Sequence, residues 1–494
     1  MLSRSLLMRR SSANPSFSVS KLSVGASASL LSSKRHMAIF KDREIGAGVP
    51  IGTPRPDWKK YGYETRCASV VKVSDFAMRR IKPVSLPLVL GSTFELENSA
   101  HGARLHEKSE APYADEDGYV YGRWGSPTNE GAARQLAALE GIGPGDEGGT
   151  MLFSSGMAAI TAALQARLRA GDHAIFPYTV YGGTHEFCVE YLQHWGVEFT
   201  LVDSTDATNY ARALKPNTRV VYTESPANPT CRLTDLHKVG QIVDDHAAAH
   251  PDEPRPWVMC DSTFATPFHQ RAAEIPGIDV AIHSATKYIG GHSDILAGAV
   301  TAKTSEIAHK VAQVQKILGA PLAPLESFLL ARGLRTLHVR MERHGENALQ
   351  VAQMLEAHPM IKQVWYPGLP SHPDHYLARK VFTSGGPNST SGRSKLQTFG
   401  GMLAFIVEGD ADVALRRAAR MCERLNVVTL AVSLGGTESL IEHPASMTHT
   451  MIPREDRLAG GLADGLVRLS VGLETVDDVL EDLKQALDGC DDGK

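Results

Sequence analysis

Short apolar runs alternate with helix-like segments through the middle of the chain, and this alternation limits the possible folds more than any other feature. The apolar runs stand at 150–153 (TMLF), 173–177 (HAIFP), 198–203 (EFTLVD), 219–225 (RVVYTES) and 257–263 (WVMCDST), and DVAIHSATKYI at 279–289 closes the series. Segments with helical spacing lie between them at 154–171, 185–196 and 234–250. Such alternation predicts βαβ units and an α/β fold with a mostly parallel sheet covered on both faces.

The rest of the chain differs from this central region, which we place at 121–320. From 321 to 494, a long helical stretch at 328–358, strand-like runs at 400–409 and 466–474 and a helix at 477–487 predict a C-terminal α+β domain. Residues 384–397 are rich in Gly and Ser and predict a surface insertion loop. Residues 42–120 show no dominant period, and we expect an N-terminal arm that wraps a partner subunit.

The first 41 residues contain no Asp or Glu but carry Arg4, Arg9, Arg10 and several further basic residues among many serines. This composition is typical of an organelle transit peptide, although a merely disordered basic tail would share it. We predict import into the mitochondrion, with the plastid as the alternative. Met37 offers a second start, which would leave a cytoplasmic form.

Composition excludes several classes of function. The 51 Lys and Arg against 55 Asp and Glu give a net charge of −4. This charge does not indicate a nucleic-acid-binding protein, which would call for a basic domain or stripe. No run of about 18 apolar residues predicts a transmembrane helix. The cysteines form no CxxC pair and predict reduced thiols of an intracellular protein, with no metal site: Cys67, Cys188, Cys231, Cys260, Cys422 and Cys490.

Residues with possible chemistry follow three of the apolar runs. Lys287 lies in SATKY, and a partly desolvated lysine there could form a Schiff base while the hydroxyls of Ser284 and Thr286 bind a phosphate. Asp261 ends WVMCD, where a carboxylate could face the pyridine nitrogen of pyridoxal phosphate. Gly156 begins a helix whose amides could bind a phosphate. Taken alone, Lys287 could instead be an ordinary exposed lysine, and Asp261 could be a turn residue.

Seven motifs occur in the order of one known family: FSSGMAAI, YGGTHE, ESPANP, DSTFATP, SATKYIGGHSD, SLGGTESLIEHPASMTH and LVRLSVGLE. Over about residues 60–490 the chain resembles the pyridoxal-phosphate enzymes of cysteine and methionine metabolism. That family includes methionine γ-lyase, the cystathionine lyases, cystathionine γ-synthase and the homoserine sulfhydrylases. The resemblance implies the aspartate aminotransferase-like fold (fold type I), an amino-acid substrate, and a homotetramer built from two catalytic dimers.

The resemblance also implies a role for individual residues. Lys287 would hold the cofactor, Asp261 would face its ring nitrogen, and Tyr181 would stack on the ring and assist proton transfers. Phosphate donors would be the backbone of Gly156 and Met157 and the hydroxyls of Ser284 and Thr286, with Asn228 near the phenolic oxygen. Tyr121 and Arg123 would reach the phosphate of the neighbouring subunit. Arg468 would grip the substrate α-carboxylate beside Ser433. Ser262 and Ser126 replace the family's usual asparagines.

Local differences within the family bear on the substrate. Val120 and Glu186 stand where cystathionine-handling members often place an acidic residue and an arginine, which weakens the case for a long, doubly charged substrate. Glu438 is retained as in the cystathionine enzymes and could bind a distal amine. Gly183 replaces the reactive cysteine of bacterial methionine γ-lyases, and Met447 argues mildly against acetylhomoserine sulfhydrylases.

These differences favour a transsulfuration-type carbon–sulfur lyase that performs γ-elimination on methionine or cystathionine, giving an α-keto acid, ammonia and a thiol. A γ-replacement transferase is the alternative. A cofactor-binding chain without turnover is a third possibility.

Overall fold

The computed structural model describes residues 61–69, 83–108, 118–143, 146–383, 397–448, 450, 454–459 and 461–491. The predicted transit peptide, and all but Gln397 of the predicted insertion loop, lie outside these residues. None of the helices in the described part of the chain is long and apolar enough to cross a membrane.

The larger sheet has seven strands: β1 Gly149–Phe153, β2 His173–Pro177, β3 Glu198–Val202, β4 Thr218–Glu224, β5 Trp257–Asp261, β6 Val280–His283 and β7 Gly298–Ala302. Their spatial order is β1-β7-β6-β5-β4-β2-β3. Strands β1 to β6 run in one direction, and β7 runs antiparallel to both of its neighbours. The mostly parallel sheet is therefore confirmed, with the carboxyl ends of six strands at one edge.

Helices before and around this sheet are α1 Tyr63–Ser69, α2 Ser99–Lys108, α3 Pro127–Leu139, α4 Gly156–Arg167, α5 Gly182–Phe187, α6 Thr208–Ala213, α7 Leu236–Ala249, α8 Thr266–His269 and α9 Ser305–Leu318. Alternate strand residues face opposite sides of the sheet. Phe176, Tyr222 and Met259 pack into one apolar cluster, while Ile175 and Val221 pack into another. Both faces of the sheet are covered, as the continuous apolar runs predict.

A second sheet of five strands follows: β8 Ile361–Trp365, β9 Met402–Val407, β10 Thr429–Leu430, β11 Leu440–Glu442 and β12 Leu466–Ser470, in the order β10-β11-β12-β9-β8. All of its pairings are antiparallel except β10 with β11. The helices that follow residue 321 are α10 Pro324–Leu334, which packs against α3, and α11 Leu337–Ala357, α12 His375–Val381, α13 Ala411–Glu423, α14 Arg454–Ala459 and α15 Val476–Asp488. These elements form the predicted C-terminal α+β structure.

The single helical stretch predicted at 328–358 is wrong in one respect, because α10 ends at Leu334 and α11 begins at Leu337. Both leucines are buried, so the apolar period continues across the break. The guanidinium of Arg340 on α11 reaches back and donates to the carbonyl oxygens of Gly333 (2.9 Å) and Tyr288 (2.6 Å). The break thus lets one buried arginine join the end of α10 to the residue after Lys287.

Candidate functional site

A cavity of about 520 Å³ opens at the carboxyl edge of the larger sheet. Its walls come from the segments that follow β1, β2, β4, β5 and β6 and from the second sheet. Ten of the thirteen predicted site residues line it: Gly156, Met157, Tyr181, Asn228, Asp261, Ser284, Thr286, Lys287, Ser433 and Arg468. Their individual roles remain predictions, but the fold brings these residues to one place.

Lys287 lies at the centre of this cavity, and its Nζ donates to the Oγ of Ser433 at 2.8 Å. Burial lowers the pKa of Lys287 to about 8, and the charge of Arg468 acts in the same direction. A lysine with this pKa is neutral in a large fraction of molecules near pH 8, so it can attack a carbonyl. Ser433 holds that amine from a backbone with a positive φ of 95°.

Asp261 ends β5 and is buried beneath the cavity. Its Oδ1 accepts from the backbone N (3.0 Å) and Oγ1 (2.6 Å) of Thr263, and its Oδ2 accepts from the Tyr222 hydroxyl (3.4 Å). Burial raises the pKa of Asp261 in spite of these bonds. A protonated ring nitrogen placed against this carboxylate would offset the cost of desolvating the carboxylate. Pyridoxal phosphate requires such a carboxylate beside its ring nitrogen to keep that nitrogen protonated.

The start of α4 forms another wall of the cavity. The Ser155 side chain caps this helix by accepting from the Ala158 amide at 3.1 Å, which leaves the first amides available to an anion. A Cβ at Gly156 would lie 2.8 Å from the Cβ and Oγ of Ser284, so only glycine permits this approach. The Thr286 hydroxyl is already bonded to the backbone of Ala297, which makes Ser284 the more available hydroxyl.

Tyr181 stands at the entrance of the cavity with its side chain partly exposed. Its backbone N donates to the Glu224 carboxyl at 2.9 Å. A Cβ at Gly183 would lie 2.8 Å from the Tyr181 ring and 3.1 Å from the Met157 sulfur. The glycine therefore lets the tyrosine ring lie against the beginning of α5.

Arg468 on β12 is buried in the wall of the cavity. Its Nη1 donates to the Asn228 side-chain oxygen (3.1 Å), and its Nη2 donates to the Ser433 carbonyl (3.0 Å). Nη2 also lies 3.1 Å from a carboxylate oxygen of Glu442, which is its cross-strand partner on β11. This guanidinium is oriented by three groups before any substrate arrives.

Two acidic residues of the cavity, Glu224 and Glu442, were missed in the sequence, although both stand inside recognised motifs. Glu224 accepts from the amides of Tyr181 (2.9 Å) and Asn228 (2.7 Å) and so positions both residues. Burial and the adjacent Asp261 raise its pKa to about 8. Burial also raises the pKa of Glu442, and Arg468 opposes this effect. Glu224 ends the apolar run beside the one that Asp261 ends, and this parallel was the signal that could have identified it.

Three predicted site residues do not line this cavity. Glu438 lines an adjoining cavity of about 900 Å³, which shares Thr286, Leu296, Val432 and Ser433 with the first. Arg123 donates to the Lys316 carbonyl, and Tyr121 bridges to Thr93.

Two residues that entered the substrate argument also lie elsewhere. Glu186 is exposed on α5 and lines neither cavity. The backbone carbonyl of Val120 accepts from the Phe94 amide at 3.2 Å, and the Val120 side chain lines neither cavity. Within one chain, Glu186 therefore does not line the cavity that contains Lys287, whereas Glu442 does.

Comparison with known proteins agrees with this geometry. A family model described as "Cys/Met metabolism PLP-dependent enzyme" matches residues 68–488. The L-methionine gamma-lyase of Porphyromonas gingivalis is 39% identical over 406 residues, covering 82% of this chain and 92% of that protein. The cystathionine beta-lyase of Coxiella burnetii is 42% identical over 372 residues, covering 75% and 88%. A crystal structure of cystathionine gamma-lyase from Lactobacillus plantarum, complexed with L-serine, matches with a TM-score of 0.74 and 34% identity, covering 87% and 99%.

Proposed function

We propose that this chain, which belongs to the Cys/Met metabolism PLP-dependent enzymes, is a carbon–sulfur lyase that performs γ-elimination on a sulfur amino acid. The products are an α-keto acid, ammonia and a thiol. The observation that carries this proposal is one cavity that contains the Lys287 amine, the Asp261 carboxylate and the Arg468 guanidinium. Relatives named as methionine and cystathionine lyases support cleavage of the carbon–sulfur bond.

The cavity residues fit pyridoxal phosphate, which when bound supplies an electron sink for charge that develops at the substrate α-carbon. Lys287 would hold it covalently, Asp261 would pair with its ring nitrogen, and the α4 amides with Ser284 would bind its phosphate. The Gly156–Ser284 approach leaves no side chain in the way of that phosphate.

The chain's own groups then perform the proton transfers. Arg468 binds the substrate α-carboxylate with its planar fork and so fixes the orientation of the α-carbon. Lys287, as a neutral amine, would remove the α-proton, and its pKa of about 8 keeps a large fraction of that amine neutral near pH 8. Tyr181 at the entrance assists proton transfer to the departing sulfur.

We further propose that methionine, or a similarly compact thioether, is accepted at least as well as cystathionine. Among the described residues that line the cavity, the cationic ones are Lys287 and Arg468, and both are already assigned. A distal carboxylate would meet Glu442 and the apolar Val432 and Leu296 instead. An unpaired charge in such a partly dry pocket is costly, whereas a methionine side chain carries no charge.

The test of this function measures kcat/KM for methionine, cystathionine, cysteine, and an O-acylated homoserine with cysteine. Keto acid and free thiol are followed together. A 100-fold preference for cystathionine, about 2.7 kcal/mol in transition-state stabilisation, would refute the compact-substrate proposal. Cystathionine formation from the acylated homoserine alone would identify a γ-replacement transferase.

We also expect a homotetramer of two catalytic dimers and import into the mitochondrion. The shared-site arrangement is supported by Tyr121 and Arg123, which lie outside their own chain's cavity, with Tyr121 exposed.

Import is supported by the acid-free composition of residues 1–41. A fluorescent fusion of residues 1–45 should enter the organelle, and a diffuse cytoplasmic signal would contradict import.

A further inference from the structure

Two histidines and a glutamate meet at the end of α7, on the side of the sheet opposite the cofactor cavity. His246 and His250 are separated by one helical turn, with ring centroids 4.4 Å apart. The Glu253 carboxylate lies 3.5 Å from the Nε2 of His246. One ligand atom from each of the three residues lies within 4.8 Å of the other two.

The backbone holds Glu253 in this position. The chain leaves α7 at His250 and turns through Pro251 and Asp252, and the Glu253 amide donates to the His250 carbonyl at 3.0 Å. Proline at the second position of such a turn has its φ preset, so the sequence HPDE favours this return. The turn brings the glutamate back over the helix face that carries His246.

The ring of His250 is also oriented for ligation. Its Nδ1 lies 2.9 Å from the His246 carbonyl oxygen, to which only a protonated Nδ1 can donate. That bond leaves the Nε2 lone pair of a neutral imidazole free for a metal. A hydrogen bond from the second ring nitrogen to a carbonyl is the usual support of metal-binding histidines.

We propose that His246, His250 and Glu253 bind a divalent transition metal ion, zinc in the first instance, with water as the fourth ligand. Two donors at roughly 2.0–2.1 Å from a tetrahedral zinc lie about 3.3 Å apart, close to the His246–Glu253 separation. Imidazole with one carboxylate is a donor set that zinc accepts. The negative end of the α7 helix dipole adds a favourable field for a cation.

The position of this site predicts its effect. It precedes Trp257, the first residue of β5, whereas Asp261 ends the same strand at the cofactor cavity. A bound ion therefore clamps the loop between α7 and β5 without reaching the chemistry. We expect a higher melting temperature with zinc and unchanged kcat and KM.

The experiment uses the purified holoenzyme, stripped of adventitious metal with a chelator that leaves the cofactor in place. Equilibrium dialysis against zinc should give one ion per chain that is lost in His250→Ala and in Glu253→Gln. Cobalt(II) should show the intense visible bands of tetrahedral coordination at wavelengths above the cofactor absorption. His237→Ala, an exposed histidine on the same helix, is the matched control and should bind as the unaltered protein does.

Both variants alter surface side chains, and their metal-free melting temperatures should equal that of the unaltered protein. A tenfold or greater loss of affinity in both variants, with retention in His237→Ala, supports the site. Equal zinc stoichiometry in all four proteins, or no zinc bound by the unaltered enzyme, overturns it.

Discussion

Burial and the Arg468 charge lower the pKa of Lys287 to about 8. The protonation state of Lys287 should therefore determine how fast the cofactor-free protein captures pyridoxal phosphate. An ordinary lysine, with a pKa of 10.5, would remain protonated at pH 8. Only the neutral amine attacks the aldehyde, so the capture rate should rise with pH through a midpoint near 8 and then level off. Stopped-flow absorbance at the cofactor band measures it. A midpoint above 10 would show that the amine is not shielded from water.

Glu442 provides a second test at the same scale, because its negative charge raises the pKa of Lys287. Glu442→Gln should therefore move the midpoint of capture to lower pH, by less than about one unit. An unchanged midpoint would show that Glu442 is not charged beside the amine.

Replacing Glu442 and replacing Glu438 should affect substrate choice differently. Glu442→Gln removes a negative charge from the cavity wall and should raise the ratio of kcat/KM for cystathionine to that for methionine, by about three- to tenfold. Glu438→Gln, in the adjoining cavity, should leave the ratio unchanged. If Glu438 instead holds a distal amine, its variant lowers the ratio, and the sequence interpretation of that residue stands.

Sequence predicted Lys287, Asp261 and Ser284 but missed Glu224 and Glu442. Lys287, Asp261 and Ser284 each follow an apolar run, so the parallel sheet places them at one edge. Glu442 enters the site only because β11 pairs with β12 opposite Arg468, and this antiparallel register is invisible in a single run of sequence.

At the scale of elements, the joint between α10 and α11 supports the lysine segment. The Arg340 guanidinium is buried and donates to carbonyl oxygens of Tyr288 and Gly333. Periodicity missed the break between these helices because Leu334 and Leu337 keep the helical spacing. Strand β7 was also missed, since GAVTA consists of small residues with little apolar contrast.

Replacement of Arg340 tests how much this joint contributes to the stability of the fold. Arg340→Ala leaves those buried oxygens without their donor and should lower the free energy of unfolding by about 2–4 kcal/mol. Urea unfolding followed by circular dichroism measures the loss. Arg340→Lys retains a charge and one donor and should lose less. Equal stability of both variants with the unaltered protein would show that water replaces the guanidinium without cost.

At the scale of the whole molecule, the proposed dimer makes each cavity depend on two chains. A mixture of Arg123→Ala and Lys287→Ala proteins, dissociated and reassembled, should regain activity that neither protein has alone. Random pairing makes about half of the dimers hybrids with one sound site of two, so about a quarter of full activity should return. Native mass spectrometry of tagged chains verifies the mixing. Proven hybrids without activity would contradict a shared site.

The backbone strain at Ser433 is held by contacts that change when the cofactor binds in the cavity. A serine at a φ of 95° is strained by roughly 1–3 kcal/mol, and the Lys287 amine and the Arg468 guanidinium help to hold it there. When the amine leaves to hold the cofactor, one of these tethers is lost and the strained loop is freer to open. Backbone amides near Ser433 should therefore exchange hydrogen faster in Lys287→Ala than in the unaltered cofactor-free protein. Adding Ser433→Gly to Lys287→Ala relieves the strain and should slow that exchange. The loop around Ser433 would therefore store conformational strain before the substrate binds.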